Sequence, residues 1–171
     1  MKKSLFAVLF LVCVIAARAE DLYAPVYYEE WSEKASLAEA YLLFPGFSAG
    51  ARYEMKIDDS MSAAVSVNMG FSGAEPSAGA RLELLFYPQS HSLNAWFLGP
   101  FAGVYNSLSG PAGPVFFSLG SQAGYRWVFD SWSFSPRALI QYGLGPEAEK
   151  KISGGAGGFI YGLALCGGMM F

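Results

Sequence analysis

Residues 153–171 read SGGAGGFIYGLALCGGMMF. Phe159, Tyr161, Leu163, Leu165, Met169 and Phe171 share one parity, and Gly158, Gly162, Ala164, Cys166 and Gly168 share the other. Alternate residues of a strand point to opposite faces. The segment therefore predicts a strand with one large apolar face and one small-residue face, ending on an aromatic.

The same period-2 pattern recurs upstream. Ala49, Ala51, Tyr53, Met55 and Ile57 alternate with Ser48, Gly50, Arg52, Glu54 and Lys56. After Asp58-Asp59, Met61, Ala63, Val65, Val67, Met69 and Phe71 alternate with Ser62, Ala64, Ser66, Asn68 and Gly70. Two such runs around a short turn predict a hairpin. Leu82, Leu84 and Phe86 alternate with Arg81 and Glu83, and residues 94–106 carry Phe97, Phe101 and Tyr105 on one parity. The runs 114–129 and 132–145 set Ser118, Gly120, Gln122, Gly124 and Arg126, then Ser133, Ser135, Arg137, Gln141 and Gly143, against large apolar residues.

Seven strands follow: 46–57, 61–72, 78–88, 94–106, 114–129, 132–145 and 154–171. Their connections alternate between short turns (58–59, near Gln89, 130–131) and longer loops (73–77, 107–113, 145–153). A closed antiparallel barrel wants an even strand number. Residues 37–44 supply the eighth, with Pro45-Gly46 as a type II turn. Residues 29–40 read equally well as a helix. The seven runs span 11 to 18 residues. That length suits a tilted strand crossing a bilayer, about 9–11 residues, better than the globular mode of about 5–6. Tyr87, Trp96, Tyr105, Trp127, Phe129 and Trp132 fall near strand ends, as interfacial aromatic girdles do.

The start of the chain reads as a secretory signal. Lys2 and Lys3 precede an apolar run, and Ala17-Arg18-Ala19 is an A-x-A cleavage site. The run is too short for a spanning helix, which needs about 20 residues. Cys13 lies mid-run without the small residues of a lipobox. The expected organisation is a signal peptide at 1–19, a leader at 20–34 and a barrel at 35–171. Removing Lys2, Lys3 and Arg18 leaves 8 basic against 14 acidic residues, a net −6. That balance argues against nucleic-acid binding. Residues 84–125 contain no Asp, Glu, Lys or Arg but four prolines, at 88, 100, 111 and 114, a pattern of strands and turns rather than a membrane helix. Cys166 is the one cysteine left after cleavage, so no intramolecular disulfide is expected.

If the large apolar parity faces lipid, Arg52, Glu54, Lys56, Arg81, Glu83, Gln122, Arg126, Arg137 and Gln141 line the lumen. Arg or Lys on the lipid face at mid-depth would cost roughly 2–4 kcal/mol. Inside a narrow barrel these charges must pair. Inward glycines at 50, 70, 120, 124, 143, 162 and 168 leave room for a small water cavity.

The segments GFSAGARYEMKIDDSMSAAVSVNMGFS, WFLGPFAGVYNS and SLGSQAGYRWVFDSWSFSPRALIQYGLG, with the Phe-ended tail, resemble the small bacterial outer-membrane barrels of the OmpA-transmembrane, OmpX and OmpW-like group. Gly99-Pro100-Phe101 and Gly124-Tyr125-Arg126-Trp127 are similar to segments of a further barrel family whose role is unassigned. The resemblance implies an outer-membrane location in a diderm bacterium and recognition of Met169 and Phe171 by a barrel-assembly machine. Where the group's tail carries Gly this chain has Cys166, with Gly at 167. The resemblance transfers no catalytic residue.

Candidate chemistry is sparse. His91, beside Ser90 and Ser92 in a turn, lacks the spaced acid of a nucleophile–base–orienter set. Asp58-Asp59 offers too few oxygens for calcium, which takes 6–8. The run Gly154-Gly155-Ala156-Gly157-Gly158 lacks the Lys-Ser/Thr of a phosphate loop. Cys166 reads as a buried thiol. The sequence thus predicts a monomeric barrel without cofactor and with a structural or surface role. A narrow solute channel, a lipid-modifying enzyme using His91 and a soluble periplasmic ligand-binding barrel are the alternatives.

Overall fold

The computed structural model describes residues 35–44, 47–72, 75–88, 95–108, 115–144 and 159–171. Eight strands run in chain order: β1 (Ser36–Phe44), β2 (Ser48–Lys56), β3 (Met61–Ser72), β4 (Glu75–Phe86), β5 (Ala95–Ser107), β6 (Val115–Phe129), β7 (Trp132–Leu144) and β8 (Phe159–Met170). Each pairs antiparallel with the next, and β1 pairs with β8, closing the sheet. Closure leaves no strand edge with unpaired backbone groups. The last residue completes the seam. Phe171 O accepts from the N–H groups of Ala35 and Ser36, both at 3.1 Å, and Phe171 N donates to Ser36 O at 3.0 Å.

Two hairpin turns show why the chain reverses where it does. Ile57 N and Asp58 N donate to Met61 O, and Asp58 Oδ1 accepts from Ser60 N at 2.7 Å and Ser60 Oγ at 2.8 Å. These bonds hold the exposed Asp58 carboxyl below its ordinary pKa. Their contribution to the turn is present above the ordinary Asp range and is lost as pH falls below it. At the β6–β7 turn Asp130 has φ 57°, a left-handed conformation that a short polar side chain tolerates.

The expected strands are present, including the first. From Ser36 onward the 29–40 region is strand rather than helix, because Leu37, Glu39 and Tyr41 alternate inward and pair with β2 and β8. Glu75 to Ser77, expected as loop, already pair with β3. The signal peptide, the leader, Pro45-Gly46, the His91 turn and residues 153–158 lie outside the described residues.

Outward parity is apolar: Leu82 is 68% exposed, Met69 63%, Phe117 60% and Tyr161 58%. β5 departs from the expected rule. Its aromatics Phe97, Phe101 and Tyr105 turn inward and are buried, while Leu98 and Val104 face out. The reason lies next door. Phe97 pairs with Gly124 and Phe101 with Gly120, and Gly79 pairs with Tyr105. A Cβ added at Gly120 would lie 2.4 Å from Phe101 Cζ, and one at Gly124 2.6 Å from Phe97 Cζ. Tyr41 covers Gly50 in the same way. At these glycines the expected room for water is filled by rings.

The expected girdle also divides. Tyr87 and Tyr105 are buried inside. Trp96, Tyr125, Trp127 and Phe134 form an outer row with ring centroids 5.2, 4.8 and 6.0 Å apart in succession.

The seam makes a sharp prediction. A Cβ at Gly168 would lie 2.0 Å from Ala38 O, whereas at Gly167 the nearest atom is Ser133 O at 3.8 Å. Gly168→Ala should lower the yield of closed barrel on refolding and Gly167→Ala should leave it unchanged, read as the fraction migrating as the compact form on an unboiled gel.

Candidate functional site

Eight of the nine residues assigned to the lumen from the sequence are buried inside the barrel: Arg52, Glu54, Arg81, Glu83, Gln122, Arg126, Arg137 and Gln141. Strand alternation aims them inward, and the register stacks them in layers. Glu54 faces Ala64 and Arg52 faces Ser66 across β2–β3, and Ser66 faces Arg81 across β3–β4.

The central layer is an ion-pair network. Arg52 Nε donates to Glu83 Oε2 at 2.8 Å, and its Nη1 donates to Glu39 Oε2 at 2.8 Å and also to Glu54 Oε2. Arg126 Nη2 donates to Glu54 Oε2 at 2.7 Å. Arg137 Nη2 donates to Glu39 Oε2, and its Nη1 lies 3.9 Å from Glu83 Oε2. Neutral groups complete the shell. Tyr87 OH donates to Glu54 Oε1 at 2.5 Å while accepting from Arg126 Nη1 at 2.8 Å. Ser66 Oγ and Gln122 Nε2 donate to Glu83 at 2.9 and 2.8 Å, and Ser135 Oγ donates to Glu39 at 3.1 Å. Ser62 Oγ donates to Glu54.

Lys56 does not reach this layer. It sits at the turn end of β2, half-buried, with its Nζ 2.7 Å from Asp59 Oδ1. Its parity is inward but its height is wrong, because the strand carries it past the charged layer to the rim. Gln141 sits above the network, where its Oε1 accepts from Tyr105 OH at 3.3 Å. Sequence reasoning missed Glu39, Tyr41, Tyr87 and the serines at 62, 66 and 135. Glu39 had a signal: it shares the inward parity of Leu37 and Tyr41 and stands opposite Arg52 in the register.

Aromatic layers bracket the charges. Leu85, Tyr87 and Phe97 cluster at the turn end, with the two rings 5.9 Å apart. Tyr105 stacks on Phe116 at 5.3 Å toward the other end, with Ile160 against them. Arg137 and Arg126 lie 5.0 and 5.4 Å over the Phe97 ring. Cys166 is buried between Tyr41 and Ala164. Asp58 and Asp59 are engaged by Ser60 and Lys56. Among the described residues no three His, Cys, Asp or Glu side chains gather as a metal would require.

This charged interior within a closed wall is where known structures bear on the chain. The N-terminal β-barrel domain of Pseudomonas aeruginosa OprF superposes with a TM-score of 0.55 at 13% identity, covering 81% of this chain and 98% of that one. The fold is shared. Neisserial surface protein A (NspA) gives a TM-score of 0.49 at 14% identity, covering 80% of this chain and 94% of that one. No family model matches the sequence, and no curated protein does. The expected likeness to small eight-stranded barrels is therefore met at the level of fold.

Removing one partner from a buried ion pair strands the other charge, at a cost of about 3–5 kcal/mol. Glu54→Ala should lower stability by that order, and Tyr87→Phe by about 1–3 kcal/mol. Lys56→Ala, at an exposed pair, should cost under about 1 kcal/mol. Urea unfolding in lipid vesicles, followed by tryptophan fluorescence, gives the three values.

Proposed function

We propose that this chain is a small integral barrel of the outer membrane of a diderm bacterium, with a non-enzymatic structural or surface-interaction role. The observation that carries the reading is its inverted polarity. Large apolar side chains cover the outside, and seven charged residues are buried within: Glu39, Arg52, Glu54, Arg81, Glu83, Arg126 and Arg137. A water-soluble barrel would arrange these the other way. A wall facing hydrocarbon needs apolar side chains and a sheet without free edges. Contiguous apolar surface of this extent on a soluble monomer is rare.

The Arg–Glu layer serves as filling that fixes the barrel's shape. The aromatic layers above and below it support an electrically silent lumen over a narrow channel. Met169 and Phe171 face outward at the seam, 43% and 58% exposed, where an assembly machine can read them before closure. The barrel works as a monomer in the bilayer, without cofactor.

Leu82→Arg separates a membrane wall from a soluble surface. Leu82 lies near the middle of β4, facing out. In a bilayer the change should cost roughly 2–4 kcal/mol. On a soluble surface it should stay within about 0.5 kcal/mol. Fractionation with boiled and unboiled gels should find a heat-modifiable band in the outer-membrane pellet, and planar bilayers should record no discrete conductance. A soluble periplasmic protein without a mobility shift would overturn the reading.

A further inference from the structure

Counted over the described residues, the lumen's charges do not balance. Among the described residues four guanidiniums are buried there, at 52, 81, 126 and 137, against three carboxylates, at 39, 54 and 83. Those carboxylates are already engaged. Glu39 meets Arg52, Arg126 and Arg137; Glu54 meets Arg52 and Arg126; Glu83 meets Arg52 and, more distantly, Arg137. Among the described residues no carboxylate oxygen comes within 4.0 Å of an Arg81 nitrogen. Arg81 is nonetheless only 5% exposed.

The groups in direct contact with Arg81 are neutral, and Glu83, two residues along β4, acts on it only at longer range. Its Nη2 donates to Tyr41 OH at 3.1 Å, and its guanidinium carbon lies 5.5 Å from the Tyr41 ring centre and 5.4 Å from that of Phe101. Ring faces attract a cation but bring no net charge. Arg81 Nε is buried and meets no acceptor. Across β5 its register partner is Gly103, which sets no side chain against it. One inward step along β3 from its other partner, Ser66, stands Asn68, whose Oδ1 also lacks a hydrogen-bond partner. Turning that amide over presents a donor instead of a frustrated acceptor. A buried donor on a cation without a paired carboxylate is the chemistry of an anion site.

We propose that the lumen holds one small monovalent anion, of the halide class, against Arg81 Nε. Among the described residues it supplies a fourth negative charge and satisfies Arg81 Nε, which, like Arg52 Nη2, is a buried guanidinium nitrogen that meets no acceptor. The Tyr41 and Phe101 rings lie against the guanidinium, so the proposed site takes a small anion rather than sulfate or an organic anion. The assignment needs only the filled lumen and not its embedding in a membrane.

The test uses the full chain refolded in detergent, in sodium bromide, sodium sulfate or sodium gluconate at one ionic strength. The midpoint temperature for loss of the compact gel form should be several degrees higher in bromide, and should rise with bromide concentration as a single-site ligand requires. Arg81→Gln, which removes the cation and keeps a polar side chain, should abolish the difference between salts whatever its own midpoint. Crystals grown in bromide should show an anomalous peak within hydrogen-bond reach of Arg81 Nε. Equal midpoints in the three salts, a bromide effect that persists in Arg81→Gln, or no anomalous peak at Arg81 would each overturn the proposal.

Discussion

Glu54 and Arg126 are both 0% exposed. A carboxylate and a guanidinium withdrawn from water in this way are tolerated only when they are paired and hydrogen-bonded to further groups. That requirement organises the interior. Tyr87 is drawn inward to bridge the pair, accepting from one and donating to the other. Arg52 ties Glu54 to Glu39 and Glu83, so β1, β2 and β4 meet through one guanidinium. The wall then has no choice of parity. Slipping any of these strands by one residue would turn its charges outward and its apolar residues in.

The second organising device is the pairing of rings with glycines. Tyr41 over Gly50, Phe97 over Gly124 and Phe101 over Gly120 each put a large side chain into the space of a missing one. Such pairs fill a narrow barrel without widening it and fasten neighbouring strands at fixed heights. A slip of two residues would preserve parity but lift each ring off its glycine onto a side chain. Charge pairing thus guards against odd slips and ring seating against even ones.

Much of this was legible in the sequence. Strand positions were, because period-2 alternation sustained over ten or more residues marks an extended chain with two unlike faces. The central arginines and glutamates were as well, because they shared the parity of Ser and Gly. Glu39 was not, because residues 29–40 satisfy helical and extended patterns equally until β2 and β8 supply partners. The inward aromatics of β5 were not, because hydrophobicity alone does not distinguish a ring facing hydrocarbon from one seated on a glycine. The clue was present: Phe97 and Phe101 share their parity with Gly99 and Gly103, while Leu98 and Val104 occupy the other. Lys56 shows the converse limit, since parity gives a direction but not a height.

Glu39 sits on the first strand, yet its partners Ser135 and Arg137 sit on the seventh, 96 and 98 residues away along the chain. A sheet that has formed from β2 to β8 but has not yet joined β1 would hold Arg137 and Arg126 short of one counter-charge, within a curved and partly open surface. Joining β1 to β8 neutralises that deficit in the same step that pairs the last free edges. Closing the sheet and completing the charge layer are therefore one event: the strand that removes the last free edge also carries the carboxylate that the seventh strand's arginine meets.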